Sequence, residues 1–329
     1  MKTRTLRSAL AAALVFSASA ASAAELKLAD FQPPSHFVVE QVYKPMDEAI
    51  KAGTNGDVSV TVFMGGELGP GPKEQYNRAV DGVTDIAFGL PGYTASNFPK
   101  TLLTELPGVI DAETGTAKVQ ANSDMLAKEY RRVALLALWN NAPNLLFTAE
   151  KPIRSLEDLK GLKIRVPSRN AGLVVEAWGA TPVSMPAPEI YNAMQTGVLD
   201  GAMIDATTLG AFKLAEVTKY ITMGMDTTIS SFFLIMNRDS FNDLSDDQQK
   251  VVLEAGKTAA LNGNKAWLAI ADKALAKFKA TEGKEVIVLS DAEAARFNEA
   301  SAPVVAKVIA DADADGLEAS AYVAALKGE

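Results

Sequence analysis

The sequence predicts an α/β protein of two similar lobes, each built on a mixed, mostly parallel sheet flanked by helices. Three observations predict it. Strand-like and helix-like stretches alternate along the chain, the pattern of parallel sheets covered by helices. A helix-turn-strand unit occurs twice, as Glu74–Gly89 (EQYNRAVDGVTDIAFG) and Glu189–Ile204 (EIYNAMQTGVLDGAMI), with seven of sixteen positions identical and the copies 115 residues apart. The length of 329 residues, 48% hydrophobic and 22% charged, leaves room for two globular units of about 150 residues each.

The first residues are not part of that fold. Lys2, Arg4 and Arg7 precede an apolar run, Ala9–Phe16, and small residues ending in Ala21-Ser22-Ala23. This order is that of a secretory signal peptide cut after Ala23, and in a bacterium the address it implies is the periplasm. The apolar run is far shorter than the ~20 residues of a bilayer span. Losing these three basic residues takes the net charge from -8 to -11. So acidic a chain, without a Lys/Arg cluster, is a poor partner for nucleic acid or for an anionic membrane surface.

Along the mature chain, Glu25–Phe31 alternates apolar and polar like a strand, and a helical stretch follows over Phe37–Lys51. Val58–Phe63, Asp85–Phe88, Val133–Trp139 and Lys163–Val166 read as further strands, with a helix around Glu74–Val80. Chance accounts for some likeness between any two helix-turn-strand units. The stronger reading of the repeat is one equivalent unit in each lobe, facing the other, with Gly82 and Gly197 closing the helices. Asn140–Glu150 would carry the chain from one lobe to the other, and Ser230–Asn237 would return it, both as buried hinge strands. Ser245 and Gln248 have capping-box spacing ahead of a helical pattern lasting to Phe278 or Lys279, a brace long enough to touch both lobes. Lys284–Leu289 reads as a strand, and Ser290 with Glu293 opens a last helix. The division that follows puts residues 24–145 and 231–265 in the first lobe and 146–230 and 266–329 in the second, with the brace helix of about 246–279 spanning both.

Composition removes much chemistry. Without cysteine there is no disulfide framework, cysteine-ligated metal or thiol nucleophile, and one histidine rules out multi-histidine metal sites. Gly65–Lys73 is glycine-rich but lacks the phosphate-loop spacing, and its prolines remove amide donors; a turn entering the next helix is the better reading. Asp311–Gly316 imitates the start of a calcium loop, yet Tyr322 stands where the closing glutamate belongs. Neither a metal nor a cofactor is called for.

Arg165 is the leading candidate for a ligand contact. It sits near the carboxyl end of the strand Lys163–Val166, where α/β proteins bind ligands, and its planar fork matches a carboxylate through two parallel hydrogen bonds. The competing reading is an arginine on an edge strand paired with a surface acid. His36 lies where the first strand meets the first helix, as a solvated helix-start residue or a ligand contact. Tyr93 follows the strand Asp85–Phe88 in the same topological place, as binding wall or as packing. Asp205 ends the strand of the second repeat, as cap of the next helix or as ligand contact.

With Leu159-Lys160-Gly161-Leu162-Lys163-Ile164-Arg165-Val166-Pro167, the stretch Glu189–Gly201, and Glu67-Leu68-Gly69 with Asp81–Ile86 in the first lobe, the chain resembles the solute-binding subunits of TRAP (tripartite ATP-independent periplasmic) transporters, the C4-dicarboxylate-binding-like family. The resemblance covers essentially the whole mature chain. It implies a two-lobed periplasmic binding protein fold that closes over a small organic acid, a carboxylate or a sulfonate, and delivers it to the membrane permease subunits. It also implies that Arg165 clamps the ligand carboxylate, with Ser168 and Asn144 where family members often place contacts. Sialic-acid receptors of the family carry a second arginine near Leu145, an acid near Leu90, an arginine near Tyr93 and an asparagine near Ile204; here these places are apolar or aromatic, which argues against sialic acid. Members that bridge the carboxylate with a cation use a glutamate near Met203, absent here. What is left is a less polar pocket for a smaller or more apolar acid. Two alternatives stand beside this: a receptor for an ATP-driven importer, and a secreted two-lobed enzyme, for which no spacing joins His36 to an acid or nucleophile.

Overall fold

The computed structural model describes residues 24–329. The signal peptide and its cut after Ala23 lie outside the described residues. Eleven strands are described: β1 (Ala24–Ala29), β2 (Val58–Phe63), β3 (Ile86–Gly89), β4 (Val133–Asn140), β5 (Leu145–Thr148), β6 (Lys163–Val166), β7 (Thr181–Ser184), β8 (Gly201–Ile204), β9 (Tyr220–Met223), β10 (Ser231–Asn237) and β11 (Glu285–Val288). They form two sheets, ordered β2-β1-β3-β10-β4 and β7-β6-β8-β5-β9-β11.

The five strands of the first sheet correspond in order to five of the six in the second, with β11 added at the edge. β3 and β8, the strands of the repeated unit, each stand third from one edge, so the internal likeness is a likeness of position. In the first sheet only β10 runs against its neighbours, and in the second only β5. Each reversed strand is the first one entered after the chain crosses between sheets, β4 to β5 and β9 to β10. A short crossing cannot turn the chain through a helix, and a strand reached directly from the other lobe enters from the opposite end.

Each sheet buries a core on both faces. Along β10, Phe232, Leu234 and Met236 enter the core shared with the long helix, while Phe233 and Ile235 enter the core on the other side, as the two-residue period of a strand requires. The second sheet divides likewise, Phe147 to one core and Leu146 to the other.

The brace helix runs Asp246–Lys279, 34 residues or about 50 Å at 1.5 Å per residue. The expected capping box forms, with the Ser245 N–H donating to Gln248 Oε1 at 3.0 Å and the Gln248 N–H to Ser245 Oγ at 3.3 Å. Val252, Ala255, Ala259 and Trp267 enter the core of the first sheet and Ala271 and Phe278 that of the second. The helix lies so close to β4 that a Cβ on Gly256 would stand 2.4 Å from the Leu136 carbonyl oxygen. None of the helices among the described residues is long and apolar enough to cross a membrane.

Some elements differ from expectation. The helix over Phe37–Lys51 begins as a wide π turn, Val39–Tyr43, before the α-helix Lys44–Gly53. Pro45 has no N–H for the α-helical bond, and the Lys44 N–H reaches back to the Val39 carbonyl instead. The C-terminal helix Ala319–Lys327 packs Tyr322, Val323 and Leu326 into the core of the first sheet, where the sequence division had placed residues 266–329 in the second lobe. An amphipathic helix carries the same apolar face whichever core receives it, so its pattern does not name its partner.

Candidate functional site

Between the sheets lies a small cavity. Its second-lobe wall holds Arg165, Pro167, Ala187, Ile204, Asp205, Thr207, Thr208 and Phe212; the first lobe supplies Phe31, Gln32, His36, Phe88, Leu90 and Tyr93, the crossings Asn141, Ser230 and Phe232, and the brace helix Trp267.

Arg165 sits on an interior strand, since β6 pairs with β7 on one side and β8 on the other. The edge-strand reading therefore fails. The side chain is 2% exposed and, among the described residues, has no ion-pair partner within 4.0 Å. Its Nε donates to the Met185 carbonyl at 2.8 Å, Nη1 to the Met203 carbonyl at 3.3 Å and Nη2 to Tyr93 Oη at 3.3 Å. A guanidinium has five N–H groups, so one on each terminal nitrogen stays free. Two such donors are the requirement for a carboxylate. Burial pulls the Arg165 pKa down, with Tyr93, Glu105 and Asp205 working against it, but a guanidinium stays charged.

Tyr93, in the turn Pro91–Asn97 after β3, accepts from Arg165 and from the Ala187 N–H at 2.9 Å, so one first-lobe hydroxyl holds two second-lobe donors. Burial raises its pKa, keeping the proton on the oxygen and available to a ligand.

A wall of rings leads away from Arg165. Tyr93 lies 6.0 Å from Phe31, Phe31 5.6 Å from Phe88, Phe88 5.4 Å from Phe232, Phe232 4.8 Å from Trp267 and Trp267 5.5 Å from His36, centroid to centroid. His36 is 3% exposed, stacked on Phe37 at 4.3 Å, so the reading of it as a solvated residue fails. Its Nδ1 accepts from the Val38 N–H at 3.2 Å, which puts the proton of the neutral ring on Nε2. Burial pushes its pKa down to about 3.

Asp205 stands on the wall and closes the turn after β8, while the N-cap of the short helix Thr208–Ala211 is Thr207. Asp205 Oδ1 accepts from the Thr207 N–H at 2.9 Å and from the Thr207 hydroxyl, and its Oδ2 from Asn141 Nδ2 at 3.0 Å. Burial raises its pKa against the pull of those donors.

Two expected contacts stand elsewhere. Ser168 does not line the cavity; its hydroxyl accepts from the Ala171 N–H at 3.2 Å and caps the helix Arg169–Ala177. Asn144 is also off the wall, tying the two crossings by donating to Thr228 Oγ1 at 2.9 Å and Ser230 Oγ at 3.2 Å. Asn141, three residues earlier in the same NNAPN stretch, holds the place on the cavity. The Asp311–Gly316 stretch ends a helix, and Asp313 Oδ1 accepts from the Ser320 N–H at 3.0 Å. Among the described residues no three His, Asp or Glu side chains stand together as a metal site would need.

Sequence reasoning did not single out Phe31, Phe88, Phe212, Phe232 and Trp267. The first two end strands, a signal that was present; Trp267 lies in mid-helix, where an aromatic reads as core. It also missed Glu105, a buried carboxyl 1% exposed. Burial raises that carboxyl to about 7, with Ser168, the Ser231 amide and Arg165 pulling the other way.

Comparison with known proteins bears on what such a cavity serves. The family model described as bacterial extracellular solute-binding protein, family 7, matches residues 28–311. The ectoine/5-hydroxyectoine-binding periplasmic protein UehA of Ruegeria pomeroyi is 30% identical over 283 residues, 82% of this chain and 81% of that one. Among solved structures, a TRAP solute-binding protein from an unidentified marine microbe, specific for aromatic acid ligands and in complex with metahydroxyphenylacetate, has a TM-score of 0.86 and 30% identity, covering 93% of this chain and 98% of that one. A TRAP periplasmic solute-binding protein of Bordetella bronchiseptica with bound (R)- and (S)-mandelate has a TM-score of 0.83 and 28% identity, covering 93% and 98%. The two-lobed fold is the one these proteins share.

Proposed function

The chain belongs to the bacterial extracellular solute-binding proteins, family 7, and from that membership we propose that it is the periplasmic receptor of a TRAP transporter for a small aromatic monocarboxylate. The observation that carries this is Arg165, with two free N–H groups, at one end of a cavity walled by aromatic rings. The carboxylate would take both N–H groups and the Tyr93 hydroxyl, and the ring would lie between Phe31, Phe88, Phe232 and Trp267. Among the described residues Arg165 is the only Lys or Arg lining the cavity, and His36 stays neutral, so a second carboxylate would meet no countercharge. That favours a monoanion over a dicarboxylate. The aromatic-acid ligands printed for two structural relatives support the same class.

In this reading the ligand is bound and released unchanged, the lobes close around it, and the closed form presents it to the membrane permease. The signal peptide read at residues 1–23 supports the periplasmic address. The testing experiment is a thermal-shift screen of residues 24–329 against benzoates, phenylacetates, mandelate, C4-dicarboxylates, ectoine, sugars and neutral aromatics. A ligand at 1,000 times its Kd stabilises by about 4 kcal/mol, several degrees for a chain of this size. Shifts confined to aromatic monoacids would support the proposal. Shifts from dicarboxylates, ectoine or uncharged compounds, with none from aromatic acids, would overturn it.

A further inference from the structure

We infer that His36 selects ligands that carry a neutral hydrogen-bond acceptor, a hydroxyl or carbonyl oxygen, on the part of the ring remote from the carboxylate. This rests on the proposal that the cavity takes an aromatic monoacid. Some donors on the wall are already spent and others are free. Asn141 spends its amide on Asn144 and Asp205 and its carbonyl on the Ser230 N–H. Thr207 and Thr208 both donate to Asp205. Gln32 gives one of its two Nε2 N–H groups to Asp30 at 3.1 Å and keeps the other, and the Ser230 hydroxyl and Trp267 Nε1 donate to no group among the described residues, so position along the wall rather than the count of donors singles out His36. Arg165 keeps two N–H groups for the carboxylate. His36 lines the same cavity with Nδ1 occupied by Val38, and no group among the described residues accepts from its Nε2.

Position makes that donor a reader of the ring. Tyr93 begins the aromatic wall beside Arg165, and His36 ends it, packed on Phe37, Trp267 and Phe212. An apolar ring held at Arg165 and lying along that wall brings its far edge to the imidazole. There an N–H facing bare hydrocarbon loses its hydrogen bond, whereas an oxygen on the ring restores it. The donor is unaltered across neutral pH, since burial holds the ring neutral down to about pH 3. An imidazolium would attract an anionic substituent; a neutral imidazole takes an uncharged one.

The test compares matched pairs. Calorimetry on residues 24–329 would measure 2-, 3- and 4-hydroxybenzoate against the three methylbenzoates, whose methyl group fills the space of the hydroxyl without its hydrogen bond. We expect one hydroxy isomer to bind at least about tenfold tighter than its methyl partner, with that ratio flat from pH 5.5 to 8. His36→Phe should bring the ratio to near one. His36→Gln, which keeps a donor and an acceptor, should restore part of the ratio and guards against a misfolded His36→Phe. A ratio near one in the natural chain, or a ratio unchanged in His36→Phe, overturns the inference while leaving aromatic-acid binding standing. Failure of every aromatic acid to bind overturns the proposed ligand class and this inference with it.

Discussion

Tyr93 Oη accepts a hydrogen bond from Arg165 Nη2 at 3.3 Å, across the gap between the first lobe and the second. The same oxygen accepts from the Ala187 N–H, so a single phenol both orients the guanidinium and closes one side of the cavity.

Tyr93→Phe keeps the ring and removes the oxygen. Arg165 and Ala187 each lose an acceptor, and the ligand loses a donor, a cost of about 1–3 kcal/mol, which is about a fivefold to 150-fold loss of affinity. Calorimetry should show that loss with the melting temperature of the unliganded protein little changed, because water can enter the vacated space. Unaltered affinity would mean that Tyr93 only fills volume.

Arg165 has two roles that different substitutions separate. Arg165→Lys keeps a charge but no fork, and one ammonium cannot serve Met185, Met203 and a ligand with the same geometry. Both Arg165→Lys and Arg165→Ala should weaken ligand binding by more than about a hundredfold. Arg165→Ala should also lower unfolding free energy by about 1–3 kcal/mol for each carbonyl left without a donor, read by urea titration, with the far-ultraviolet dichroism retained. Binding that survives in Arg165→Ala would sink the anchor.

The fold was legible because its signals are local and repeated. The capping boundary at Ser245 and the paired units whose helices close at Gly82 and Gly197 need only a few residues each to be read. The strands β7 and β9 have neither a repeated motif nor an alternating pattern to mark them off from loop, and they are found only as parts of a sheet. The site was half legible for the same reason. Arg165, Tyr93, His36 and Asp205 all follow or end strands, a rule of topology that sequence can apply. Trp267 reaches the cavity from a helix remote in sequence, and Asn144 and Asn141 are alike in type and three residues apart, so only the direction of each side chain tells wall from hinge.

The pH dependence of stability should carry two opposed contributions. Glu105 binds a proton in the folded protein up to about pH 7, whereas an exposed glutamate releases it near 4.5, so folding loses stability as pH rises between those values. Asp30, raised by burial to about 6 from 3.8, acts in the same direction. His36 acts oppositely: the unfolded chain takes a proton below about 6.5 that the folded ring refuses until about 3, so folding gains stability as pH rises through that range. Glu105→Gln should remove the first contribution alone. Its stability relative to the natural chain should rise from near zero at pH 4 to about 1–3 kcal/mol at pH 8. A difference constant from pH 4 to pH 8 would show that Glu105 is not held protonated by burial.

Asn141 is where the crossings, the second lobe and the cavity meet, and its substitutions should affect stability and binding together. The Ser230 N–H donates to its Oδ1 at 2.7 Å, while its Nδ2 reaches Asn144 Oδ1 and Asp205 Oδ2, both at 3.0 Å. All of these groups are buried, so none of them finds water when Asn141 is truncated. Asn141→Ala should lower unfolding free energy by about 1–3 kcal/mol and weaken ligand binding severalfold, because Asp205 and the crossing strand both lose their fixed positions. Asn141→Asp tests the electrostatics separately. It keeps the acceptor for Ser230 but sets a second carboxyl against Asp205 Oδ2, and two buried carboxylates in contact cannot both ionise. The pair must then hold a proton, and folding at neutral pH bears the cost of keeping it. Urea titrations should find Asn141→Asp at least as damaging as Asn141→Ala at pH 8 and clearly milder at pH 5. Equal damage at the two pH values would mean that the amide serves only the strand and not Asp205.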